Sequence, residues 1–71
     1  MSAQTRARLL RALRAYRAEH GVSPTVRELG RLAGVSSTSE VNRHLHELAA
    51  LGVLRRAGPS GAARCWVPTD E

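Results

Sequence analysis

Lysine is absent from this 71-residue chain, so all 11 basic residues are arginine. Cysteine occurs once, at Cys65, which excludes an internal disulfide and any cysteine-rich metal site. Aromatic residues are confined to Tyr16 and Trp66. No apolar run is long enough to cross a bilayer, and the start MSAQTRARLL lacks the uninterrupted apolar stretch of a secretory signal. The expected location is therefore cytoplasmic, with no membrane partner. No nucleophile, base and orienting group cluster along the chain, so enzymatic activity is not expected. His44 and His46 lie two apart on a predicted helix and point in different directions, with no third ligand in view, so no metal site is expected. Nothing in the sequence calls for a cofactor or a small-molecule ligand.

What is present is a modest apolar set, mainly Leu, Val and Ala, within a hydrophobic fraction of 42%. That is ordinary for a globular chain and enough for one small core. Only 6 acidic residues oppose the arginines, giving a formal charge of +5. An Arg- and Ala-rich composition is what G+C-rich coding produces, but coding bias does not explain the net positive balance. Arginine presents a planar fork that matches phosphate or a guanine edge, so the balance points to nucleic acid as a partner.

Leu9, Leu10, Leu13 and Tyr16 recur at helical spacing and predict a helix from Ala3 to about Glu19, with Ser2 as N-cap and Gly21 as its stop. Arg8, Arg11 and Arg14 fall on its outer side, while Arg6 and Arg17 lie at the ends of the apolar stripe. Pro24 biases Ser23 toward extended backbone. Thr25-Val26-Arg27-Glu28 then forms a capping box that opens a short second helix, with Val26, Leu29 and Leu32 inward and Gly34 as its left-handed end. After a turn at Val35 and Ser36, a second box, Ser37-Thr38-Ser39-Glu40, opens a third helix. Its inward stripe is Val41, Leu45 and Leu48, with Ala49 or Leu51, and Gly52 ends it. Two short capped helices joined by a Gly-containing turn are the sequence form of a helix-turn-helix.

Beyond Gly52 the period changes. Val53 to Ala57 and Ala63 to Val67 are expected as strands around a turn at Gly58-Pro59-Ser60-Gly61, with Pro68 and the acidic tail ending the pairing. An isolated hairpin is marginal, so it must pack on the helices, and Trp66 is the residue able to do so. The expected fold is mainly α with a small β-hairpin: a three-helix winged helix-turn-helix over residues 1–67, followed by a short acidic tail, 68–71.

Turning Val41, Leu45 and Leu48 inward points Ser39, Arg43 and His46 outward, with Glu40 and Asn42 on the flanks, at about 100° per residue. Arg43 suits a bidentate contact to guanine and Asn42 one to adenine. Ser39 could meet a base or a phosphate. Glu40 could accept from a cytosine amine, or serve the cap. Arg43 could alternatively pair with Glu40 or Glu47, an interaction of only a few tenths of a kcal/mol against about 1–3 for a good base contact. Phosphate contacts are expected from Thr25, Arg27, Ser37 and Thr38 at helix starts, and from Arg55, Arg56 and Arg64 in the wing. Neighbouring strand residues face opposite ways, so Arg55 and Arg56 do not share a face and Arg64 is the preferred wing contact.

Ser23-Pro24-Thr25-Val26-Arg27-Glu28-Leu29, Gly34-Val35-Ser36-Ser37, Val41 through Leu45, and Leu51-Gly52-Val53-Leu54-Arg55-Arg56 together resemble the N-terminal DNA-binding domain of LexA repressors. The resemblance covers about Ser2 to Val67. It implies a winged helix-turn-helix whose third helix reads half of a palindromic operator, with Ser37, Ser39, Glu40, Asn42 and Arg43 at the DNA. Thr38 stands where the family has proline. LexA repressors also carry a C-terminal domain with a Ser–Lys dyad that dimerises and self-cleaves. This chain has no lysine and no room for it, so self-cleavage is not expected of it; it could be a free-standing bacterial or phage regulator or a trimmed piece of a longer one, and Met1 with the acidic end Thr69-Asp70-Glu71 favours the former. The expected function is sequence-specific binding of double-stranded DNA as a transcriptional repressor, with a homodimer on a palindromic site or a protein partner supplying affinity. The competing expectation is a protein-interaction module that docks on polymerase or another regulator.

Overall fold

The second and third helices each start at a hydroxyl residue whose side chain accepts from an orphan backbone N–H. The structure, a computed structural model, describes residues 2–58 and 63–71. The first helix, α1, spans Ser2–His20. Ser2, expected as the cap, is already within it. Gly21 follows with φ +75°, and its N–H donates to the Arg17 carbonyl at 2.9 Å.

The second helix, α2, spans Val26–Ala33, and both halves of its capping box are closed. The Glu28 N–H donates to the Thr25 hydroxyl at 3.1 Å, while the Thr25 N–H donates to Glu28 Oε1 at 2.8 Å. Gly34 ends the helix in the left-handed region at φ +76°, where a side chain would be strained. Gly30 has a different reason to be glycine. A Cβ there would lie 2.8 Å from the Val35 carbonyl oxygen and 3.3 Å from Val41 Cγ2. Its absence lets the turn fold tightly against α2 and brings the third helix into contact.

That helix, α3, spans Thr38–Ala50, with Ser37 as N-cap accepting from the Glu40 N–H. Strand β1 is Leu54–Arg56 and strand β2 is Trp66–Pro68, paired antiparallel with Leu54 opposite Pro68, Arg55 opposite Val67 and Arg56 opposite Trp66. The strands are shorter than the sequence suggests, and the second lies further along. Ala63 and Arg64 are in a turn. Pro68, expected to end the pairing, is buried and paired, which is possible because β2 is an edge strand of a two-stranded sheet. Of the expected hairpin turn, Pro59, Ser60 and Gly61 lie outside the described residues.

The core joins every element: Leu9 and Leu13 of α1, Leu29 and Ala33 of α2, Val41, Leu45 and Leu48 of α3, Leu54 of β1 and Trp66 of β2. Trp66, 2% exposed, anchors the hairpin as its size demands. Buried Ser23 ties the α1–α2 connector to the hairpin, since its hydroxyl donates to the Trp66 carbonyl and accepts from Arg17 Nη1.

One inward assignment differs from expectation, and one residue is buried that the expected stripe did not include. Leu32 is 57% exposed, because α2 buries Leu29, Gly30 and Ala33 instead. The small residues on that face let the short helix approach closely and leave Leu32 at its margin. Of Ala49 and Leu51, offered as the end of the α3 stripe, Ala49 packs against the core and Leu51, just past the helix, is exposed, while His44 is buried among the stripe residues. The last residues are also fixed: Arg14 pairs with Asp70 at 3.0 Å and Arg17 with Glu71 at 2.7 Å, binding the chain's end to α1.

Candidate nucleic-acid interface

The inward pull of Val41, Leu45 and Leu48 sets the outward edge of α3. Ser39, Glu40, Asn42, Arg43 and His46 are all exposed along it. Backbone periodicity brings them together on one continuous polar edge.

Their side chains differ in how free they are. The nearest charged atom to the Arg43 guanidinium is Glu40 Oε1, at 3.9 Å from Nη2, with Glu47 a weaker influence. Glu40 is not held by its cap. The Ser37 hydroxyl accepts from the Glu40 N–H at 3.3 Å, but the Ser37 N–H does not donate in return to the Glu40 carboxylate. The structural role expected for that carboxylate is therefore absent, and Glu40 stands between Arg43 and the His44 ring. His46 is engaged from behind. Its ring meets Trp66 edge-on at 5.2 Å between centroids, and its Nε2 lies 3.2 Å from Arg56 Nη2. The guanidinium can only donate, so Nε2 is the acceptor in this contact.

The wing arginines separate clearly. Arg56 lies with its guanidinium carbon 5.0 Å from the centroid of the Trp66 ring and beside His46, on the side of the hairpin that meets α3. Arg55 is exposed and pairs by backbone with Val67. Arg64, the preferred wing contact from the sequence, folds back onto the body instead. Its Nη1 donates to Glu28 Oε1 at 2.9 Å, to the Ser23 carbonyl at 3.0 Å and to the Tyr16 hydroxyl at 3.2 Å, and Nη2 donates to Glu28 Oε2. A guanidinium held in this way fastens the hairpin to α2. The Glu28 carboxyl is lowered from its ordinary value, first by the Thr25 N–H and then by Arg64, while Arg64 is raised by Glu28 and Tyr16.

At the helix starts, Thr25 is half-buried with its hydroxyl committed to the cap, whereas Arg27, Ser37 and Thr38 are exposed. Arg27 and Arg31 line a concave groove of about 470 Å³ between α2 and the start of α3, together with Gly34, Ser36 and Thr38. Arg31 is not among the residues the sequence pattern singles out; its place four residues after Arg27, on the same helical face, is the signal that identifies it. The other residue missed is His44. Its position three after Val41 and four before Leu48 puts it on the buried stripe. Its Nδ1 lies 3.0 Å from Glu47 Oε1, and that hydrogen bond is the first cause of the lowered Glu47 carboxyl.

Three helices, a two-stranded wing and a polar edge on the third helix define a winged helix-turn-helix, the class of module that places such an edge in the major groove. The LexA DNA binding domain family profile matches residues 2–65, and the chain belongs to that family. LexA repressor 1 of Nocardia farcinica is 42% identical over 57 residues, covering 80% of this chain and 26% of the relative. The LexA repressor of Leuconostoc mesenteroides is 36% identical over 62 residues, 87% of this chain and 29% of the relative. That of Syntrophomonas wolfei is 38% identical over 53 residues, 75% and 25% respectively. The chain thus spans about a quarter of the length of these relatives. Among the described residues, no helix is long and apolar enough to cross a membrane.

Proposed function

We propose that this protein is a sequence-specific transcriptional repressor that binds double-stranded DNA through the N-terminal half of α3. The observation that carries the reading is the exposed edge of Ser39, Glu40, Asn42 and Arg43 over a buried Val41–Leu45–Leu48 stripe. Arg43 contacts guanine, Asn42 adenine, and the uncapped Glu40 accepts from a cytosine amine. His46 extends the edge at its far end.

Arg27, Arg31, Ser37, Thr38 and the amides at the start of α3 hold backbone phosphates and set the register. Thr25 contributes through the backbone it fixes more than through its hydroxyl. In the wing, Arg56, on the side that meets α3, supplies the phosphate contact, Arg55 faces the other way, and Arg64 supports the wing structurally. So small a module meets few bases, so two copies on a palindromic site, or one copy with a protein partner, provide working affinity. The chain regulates by occupying DNA and performs no chemistry on it.

Binding to duplex DNA across a salt series tests the reading. Affinity should fall log-linearly with salt, with a slope near 0.9 for each phosphate engaged. Binding indifferent to salt, or no binding to any duplex, would contradict it and fit docking on a protein instead.

A further inference from the structure

We propose that His44, on the buried face of α3, is a positioning residue that controls whether Glu40 stays at the outward edge, and so sets the preference at the base pair Glu40 faces. The inference rests on the base-reading role proposed for Glu40. His44 is 2% exposed and sits between two carboxylates of its own helix. Glu47 Oε1 is 3.0 Å from Nδ1, and Glu40 Oε1 is 3.9 Å from Nε2. Arg6 of α1 reaches Glu47 Oε1 at 3.4 Å, and Arg43 lies 3.9 Å from Glu40 Oε1. Among the described residues, these two carboxylates and two guanidinium groups are the charges brought to the ring. They form a continuous polar path from α1 to the reading edge.

The path has a chemical direction. In the neutral ring, Nδ1–H donates to Glu47, so Nε2 turns a lone pair toward Glu40. No hydrogen bond forms between two acceptors, and Glu40 remains available to a base. A second proton makes Nε2 a donor. Glu40 then needs to move only about 1 Å to reach hydrogen-bonding distance, which draws it off the edge. The half-open cap at Ser37 is what permits this movement, since a closed box would already hold the carboxylate.

The test is unbiased selection of bound duplex sequences by the wild type, His44→Gln and Glu40→Gln, each at about pH 8 and about pH 5.5, the span over which imidazole side chains change charge. In the wild type, one base position should lose about tenfold in preference at the lower pH, the size of one base contact. Other positions should keep theirs. In His44→Gln that position should become indifferent to pH, and Glu40→Gln should abolish its preference at both values. A pH response that survives in His44→Gln overturns the proposal while leaving Glu40 as a base reader. No change in any preference on Glu40→Gln overturns the base-reading role and the proposal with it.

Should His44→Gln fail to fold, carbon NMR of the wild type decides the same question. The Glu40 carboxyl signal should shift with the same midpoint as the His44 ring. A Glu40 signal with no inflection at that midpoint contradicts the mechanism.

Discussion

Thr25-Val26-Arg27-Glu28 and Ser37-Thr38-Ser39-Glu40 have the same pattern in sequence, yet only the first closes into a full capping box. Glu28 bonds back to the Thr25 N–H and is gripped from the hairpin by Arg64. Glu40 has Arg43 and His44 as neighbours, each at 3.9 Å, and no bond to its cap. The start of α2 is thus tied into the body, while the start of α3 keeps a carboxylate and a guanidinium at its surface. A motif worth about 1 kcal/mol as a cap serves the scaffold in one place and is left half-made at the edge proposed to meet DNA.

The comparison is broken most directly at α3. Arg43→Ala should weaken binding to the preferred site by about 1–3 kcal/mol and binding to random duplex much less. Equal losses on both, measured by titration with the two DNAs, would remove Arg43 from base reading. Next in size is the cap of α2. Thr25→Ala should cost about 1 kcal/mol of stability, lowering the melting temperature by roughly 4–8 °C in a domain of this size. An unchanged melting temperature would mean that the closed box is not what holds α2.

The wing sharpens the contrast further. Arg56→Ala should weaken binding to all sequences alike and reduce the salt slope by about 1. Arg64→Ala should lower the melting temperature and leave the salt slope of the folded protein unchanged. If Arg64→Ala reduced the slope and Arg56→Ala did not, their assignments would be reversed.

The smallest effect is in acid. Glu28 is held below its ordinary 4.5 and Asp70, by Arg14, below its ordinary 3.8. A carboxyl with a lowered value in the folded state stabilises the fold above its ordinary value, and that contribution disappears as pH falls through the lowered one. The melting temperature should therefore decline on acidification below about pH 4.5, and Glu28→Gln should flatten the decline. An identical acid profile in the variant would show that the cap and the Arg64 contact carry no proton linkage.

What the sequence made legible was local. The Thr25 box, the left-handed Gly34 and the Val41–Leu45–Leu48 stripe depend on residues within a turn or two of one another, and they hold in the structure. So does the burial of Trp66, which its size alone required. Sequence and structure part where a partner is distant or geometry is tight. Arg64 finds Glu28 across 36 positions, a pairing no local pattern encodes. Leu32 loses its inward place because α2 packs through Gly30 and Ala33. Pro68 joins the sheet because the strand it ends lies at an edge. His44 is visible in the period of the buried stripe, but its polarity argues against the burial that the period demands.

The central claim, that the Ser39–Arg43 edge faces DNA while Arg64 belongs to the scaffold, is tested by titrating duplex DNA carrying the selected site into isotope-labelled protein and following the NMR signals of each residue. The largest changes should fall on Ser37 through Arg43, on His46 and on Arg56, with the Arg64 guanidinium and the outer face of α1 at Arg8 and Arg11 little affected. Changes concentrated on α1 or on Arg64, with the α3 edge silent, would contradict the account.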